Sequence, residues 1–293
     1  MSLSIQDRGA DHVFCLKILA LVPMLLLAAL STAESAQLTS EQSSVLEDAR
    51  AFALLYARRL PDFICTQVTH REVSKTQVGI LGAGATSRTP IGVTALSKGT
   101  SGSDLIEEQL TYVGGKESYE VVAIDGRKMP GMTHMLLAGA VSSGEFGSVL
   151  TEVFDPKSST TFTWAHEANL HGRHVWVFGF RVPKEAGTAL IDKDTNKALL
   201  ASITGHVFID PATFDVLQIV SRLNIPAEFP IHLVERKVEY APQQIAGKNY
   251  NLPLRSEMRM EDNTQSYYNE IEFRNYHHFS SDSTIQVVDS ASH

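Results

Sequence analysis

Cysteine is nearly missing from this 293-residue chain, which has only Cys15 and Cys65. Cys15 precedes an apolar run that reads as a removable leader, so Cys65 is expected to stand alone in the mature protein. No intrachain disulfide is then possible, and the fold must stand on its core. Cys65 sits in the β-rich stretch FICTQV, where a small buried hydrophobe is expected. Positive charge is also short: 25 Lys and Arg face 33 Asp and Glu, a net charge of −8, and no basic stripe stands out. Nucleic-acid binding needs a cationic patch and is not expected. Neither is a peripheral grip on anionic lipid.

Long apolar runs are lacking as well. The best, Ile18–Leu30, is 13 residues, whereas a membrane-spanning helix needs about 20. With Lys17 before it and Ser31-Thr32-Ala33 after it, the run reads as a secretory signal peptide over residues 1–33, cut after Ala33. Cys15 precedes the run instead of closing it, so no lipid anchor is expected. Export to the periplasm or beyond follows, with no permanent membrane span after cleavage. Residues 34–293 are expected to form a single β-rich domain.

Most chemical signatures fail on inspection. Gly82-x-Gly84 begins like a dinucleotide fingerprint, but Ser87 holds the third glycine position and no βαβ unit surrounds it. Asp192-x-Asp194-x-Asn196 begins like a calcium loop, yet Lys197 replaces the turn glycine and Ile203 the closing glutamate. No G-x-S-x-G elbow exists, no carboxylate pair suits acid/base work, and no cofactor is expected. His166, His171 and His174 cluster at gaps of five and three, not the i, i+4 spacing of helical zinc peptidases. A hairpin would still bring His166 and His174 together, leaving a metal-dependent hydrolase as a less favoured reading.

What is present is mostly strand. An N-terminal helix is expected from Ser40 to Arg59, with Val45, Ala49, Phe52, Tyr56 and Leu60 on one stripe. A Ser or Thr near position 40 caps it and Pro61 ends it. Phe63–Val73 reads as a strand. Residues 78–103, rich in Gly, Ala, Ser and Thr, read as a flexible insertion. Hairpins follow at Gly114-Gly115, Asp125-Gly126, His171-Gly172 and Asp210-Pro211. A short helix is expected behind the capping box Ser142-x-x-Glu145, with Phe146, Val149, Leu150 and Val153 on one face and Asp155-Pro156 as its stop. In the last hairpin, Met258 and Met260 alternate with charged residues, as do Ile271 and Phe273. That is the pattern of an antiparallel sheet wet on one face. Charge pairing places Glu257 opposite Arg274, Arg259 opposite Glu272, and Met258 against Phe273.

The stretches GHVFIDPATFDVLQIV (Gly205–Val220) and VEYAPQQIAGKNYNLPLRSE (Val238–Glu257), with the closing strand Asn269–Tyr276, resemble the LolA/LolB-like class of exported bacterial proteins. That class includes the amino-terminal domain of RseB-type sensors. The resemblance spans about 104–288 and implies mainly β structure: a curved antiparallel sheet, or open half-barrel, with one N-terminal and one short internal helix. It also implies a lipid or lipoprotein as partner and no catalytic residues. The methionines Met129, Met132 and Met135 in KMPGMTHMLL adapt to irregular apolar partners. With Met258, Met260, Ile271 and Phe273 they form the expected ligand-binding set, residues 129–137 acting as a pliable cover. The favoured reading is non-enzymatic binding of a hydrophobic ligand; the alternative is an envelope interaction or structural protein with a filled core.

Overall fold

The computed structural model describes residues 37–75, 102–132, 134, 137, 144–192 and 195–278. Residues 1–33, read above as a leader, most of residues 78–103, Met135 and Ser142 lie outside the described residues. Helix α1 spans Ser40–Arg59 and starts in a reciprocal cap: Thr39 Oγ1 accepts from Gln42 N at 3.2 Å, and Thr39 N donates to Gln42 Oε1 at 2.9 Å. Two otherwise orphaned donors are satisfied at once. Leu60 turns extended before Pro61, which disfavours helical backbone in the residue ahead of it. The buried stripe is Val45, Leu46, Ala49, Ala53 and Tyr56.

Among the described residues twelve strands follow: β1 Phe63–Lys75, β2 Gly102–Val113, β3 Lys116–Ile124, β4 Arg127–Lys128, β5 Thr161–Leu170, β6 Arg173–Val182, β7 Thr188–Asp192, β8 Lys197–Ile209, β9 Val216–Asn224, β10 Ile231–Ile245, β11 Lys248–Asp262 and β12 Gln265–His278. Their order is β4-β3-β2-β1-β12-β11-β10-β9-β8-β6-β5, with β7 attached to β8 alone, and every pairing is antiparallel. The path has two ends, so the curved sheet is an open half-barrel and not a closed barrel. Gly114-Gly115, Asp125-Gly126, His171-Gly172 and Ala246-Gly247 all have positive φ, the backbone that two-residue hairpins need to match strand twist.

Helix α2, Ser148–Phe154, lies with α1 on one face of the sheet. There Phe146, Val149, Leu150, Val153 and Phe154 meet the inward phase of the strands, including Phe63, Leu110, Phe178, Val207, Val238, Ile271 and Phe273. The helix begins five residues later than the capping box implies, with Gly147 and not Ser142 before its first turn, and this N-cap makes no side-chain hydrogen bond. Glu145 is instead drawn into the core, where Ser256 Oγ lies 3.5 Å from its Oε1 and Tyr240 donates to its carbonyl at 3.3 Å.

The register expected for the last hairpin is wrong by four residues. Arg255 pairs with Glu272, Ser256 with Ile271 and Glu257 with Glu270. The turn decides this. Asp262 Oδ1 accepts from Thr264 N and Gln265 N, each at 2.7 Å, closing the chain directly after β11 in an Asx turn. A good turn outweighs surface ion pairs of a few tenths of a kcal/mol, and one pair, Arg255 with Glu272 at 3.3 Å, forms anyway.

The loop after β8 is held by Asp210. It accepts from Ala212 N at 2.8 Å and from Arg173, whose Nε lies at 3.1 Å and Nη2 at 2.5 Å. Burial acts to raise this carboxyl's pKa, but these hydrogen bonds and the Arg173 charge outweigh it and hold the group below its usual range. A depressed folded pKa gives stability that is present above the unfolded value of about 4 and lost as pH falls through the folded one. Asp210→Asn should therefore lower stability by about 1–2 kcal/mol at pH 7. The gap from the parent should close in urea melts as pH drops below about 4.

Cys65 is buried in the main core. Burial first, then the nearby Glu117 charge, pushes its thiol above the ordinary cysteine range. Since the thiolate is the nucleophile, alkylation of the Cys65 peptide in native protein at pH 8 should run at least about a hundredfold slower than in urea. Equal rates would mean the core opens locally.

Candidate functional site

The core does not fill the helix-covered face completely. Across β9, β10 and β11, Ser221, Arg236 and Met258 lie abreast by register, all on the inward phase. Ile203 pairs with Leu223 beside them. Thr188, Ala189 and Leu190 of β7 and Glu152 of α2 close the other side, leaving an opening of about 370 Å³ lined also by Val234. The α2 carboxylate ties the opening together: Arg236 Nη2 donates to Glu152 Oε2 at 2.7 Å, and Thr188 Oγ1 donates to Glu152 Oε1. Arg236 Nε is buried with no hydrogen-bond partner. An apolar concavity with a few convergent polar groups is the usual form of a small-molecule site.

A second feature of this face is a buried polar row between two apolar clusters. Gln67 Nε2 donates to Glu108 Oε2 at 2.9 Å, and His134 Nδ1 lies 2.8 Å from Glu108 Oε1. The His134 ring stacks on Tyr119 with centroids 4.6 Å apart. Burial, then the Glu145 and Glu117 charges, pushes the Tyr119 hydroxyl well above its ordinary value. It stays a neutral donor to Glu117, which also accepts from the Gly144 and Phe146 amides. The row pins the stretch around His134 to β2 and the loop before α2 to β3.

Of the sequence-derived ligand set, Met258 lines the opening. Met260 is half-buried on the same strand. Ile271 and Phe273 are 1% and 2% exposed inside the main core. Met129 and Met132 pack instead on a separate small cluster of Ile106, Val121, Ile124 and Leu137. The structure thus does not gather these residues into one site. His174 Nε2 lies 2.9 Å from Glu167 Oε2, His171 Nε2 lies 3.6 Å from Glu239, and His166 pairs by register with Val177. Among the described residues no three metal-ligating side chains converge.

A larger groove of about 750 Å³ lies on the other face, lined by Thr163, Thr204, His206, Arg222, Lys237 and Arg259 among others. Its charges largely satisfy one another: Arg222 meets Glu235 at 3.4 Å and Lys237 meets Glu257 at 2.9 Å. This is the wet side of the sheet.

The chain is similar to LolA superfamily proteins. A LolA superfamily protein from Nitrosomonas europaea matches at 10% identity with a TM-score of 0.36, over 80% of this chain and 91% of the other. A putative outer membrane lipoprotein-sorting protein domain from Vibrio parahaemolyticus matches at 12% identity and a TM-score of 0.33, over 79% and 89%. The MucA/MucB complex of Pseudomonas aeruginosa matches at 14% identity and a TM-score of 0.21, over 78% and 94%. No protein-family model matches the sequence, nor does any curated protein.

The opening's residues were missed at the sequence level except for Met258. A signal for one of them existed. In β10, Val234, Val238 and Tyr240 share the inward phase with Arg236, while Glu235, Lys237 and Glu239 point the other way. A cation on the apolar phase of a strand is costly unless something pairs with it. Here that partner is Glu152, 84 residues away.

Proposed function

We propose that this protein is exported through the leader at residues 1–33 and binds a hydrophobic ligand, a lipid or a lipoprotein acyl chain, on its helix-covered face without catalysing a reaction. The observation that supports this most is the apolar opening beneath α2, where Leu190, Ile203, Leu223, Val234 and Met258 meet. Among the described residues no helix is long and apolar enough to cross a membrane. The alternative, an envelope interaction or structural protein with a filled core, draws on the nearly complete burial of Ile271 and Phe273.

Native mass spectrometry of protein purified from the periplasm separates the two. A population heavier by one lipid mass is expected, and Met258→Trp, which fills the opening, should remove it. Protein carrying no extra mass, and taking none up from added lipid, would leave the filled-core reading standing.

A further inference from the structure

Resting on the hydrophobic-ligand reading, we infer that the opening beneath α2 takes a single-chain amphiphile with a carboxylate head, a fatty acid, whose head sits on Arg236. Size argues for one chain. At about 30 Å³ per water-sized unit of volume, 370 Å³ holds on the order of a dozen heavy atoms. That accommodates one medium-length chain and is too small to enclose both chains of a phospholipid.

Charge argues for the head. Glu152 and Arg236 are the two ionisable side chains lining the opening, and the rest are apolar or carry hydroxyls. The guanidinium presents a planar fork of donors that matches a carboxylate through two parallel bonds. Glu152 uses only one corner of that fork, through Nη2, because its other oxygen is held by Thr188. Nε is buried and without an acceptor, and a second carboxylate reaches it as the partly exposed Arg236 side chain turns toward the opening. Thr188 and Ser221 put hydroxyls beside the same place. A neutral head, such as an alcohol, supplies no charge to this fork and leaves the cation dependent on Glu152 alone. The bound acid shares Arg236 with Glu152, so the two carboxylates compete for one cation.

Full chain purified from cells and stripped of lipid is titrated with dodecanoate and with dodecanol by calorimetry. The acid should bind at least about tenfold more tightly than the alcohol, the worth of one charge-assisted hydrogen bond. Arg236→Gln should bring the two ligands level. Arg236→Lys, which keeps the charge and loses the fork, should leave an intermediate gap, and it serves where the Gln variant fails to fold. Glu152→Gln, which removes the competing charge, should widen the gap. Met258→Trp should weaken both ligands. Equal binding of acid and alcohol to the parent, or a gap that survives Arg236→Gln, overturns the carboxylate head while leaving the hydrophobic-ligand reading intact. Met258→Trp without effect on either ligand overturns the placement. Failure of both ligands to bind, with no lipid mass in the native spectrum, overturns both the inference and the reading beneath it.

Discussion

Phe146→Ala should lower stability by about 3–5 kcal/mol, the usual cost of deleting a large aromatic from a packed core. Phe146 is 0% exposed and sits where the loop before α2 meets the sheet. Its ring lies 5.2 Å from Phe63, 5.1 Å from Phe273, 6.3 Å from Tyr112 and 6.2 Å from Tyr276, by centroids. Strands β1, β2 and β12 therefore all lose a neighbour when it is removed. Edge-to-face aromatic pairs add about 0.5–1.5 kcal/mol each beyond area burial, and the backbone on either side is tied down by Glu117 and Tyr240, so the cavity cannot collapse easily. Urea unfolding reads the effect as a fall in midpoint at unchanged slope. Ile191→Ala is the control: this side chain is 61% exposed on β7, and its removal should stay within about 0.5 kcal/mol. If Phe146→Ala behaved like the control, the docking of α2 on the sheet would be wrong.

The second large effect is electrostatic. Glu108→Ala should destabilise by about 3 kcal/mol, because it leaves Gln67 Nε2 and the His134 ring facing an emptied acceptor site inside the protein. Glu108 is 1% exposed, so water cannot replace it readily. Glu108→Gln retains the size and one carbonyl oxygen and should recover part of the loss. A double-mutant cycle of Glu108→Ala with His134→Ala should show a coupling of about 1–3 kcal/mol, as expected for contacting members of one network. Additive losses would place His134 outside the network.

Glu108 also shows how far reading the chain can go. In β2 the inward phase runs Ile106, Glu108, Leu110, Tyr112, and in β1 it runs Phe63, Cys65, Gln67, Thr69. Alternation reveals which face each residue takes, since a strand's side chains have a period of two. It also flags Glu108 and Arg236 as charges on the wrong phase. It does not name their partners. Gln67 and Glu108 face each other only because β1 pairs with β2. The helical stripe of α1, its Thr39 cap and the glycine hairpins were legible for the same local reason: each depends on neighbours within about five residues. The register of β11 against β12 departs from what the surface charges suggest because the Asp262 turn is the stronger constraint. The capping box at Ser142 was misread because Glu145 had a better use inside the core.

The chain's own residues were enough to determine an antiparallel, mainly β protein with two helices, a wet face and an apolar face. Periodicity and turn chemistry are local, and they survive whatever the strands later do. Only the folded sheet decided that β1 lies between β2 and β12, that Ile271 and Phe273 fill space while Met258 borders it, and that Glu152 meets Arg236. Partner choice between strands far apart in sequence is set by how all the apolar faces are buried together, and that balance is not written in any single segment.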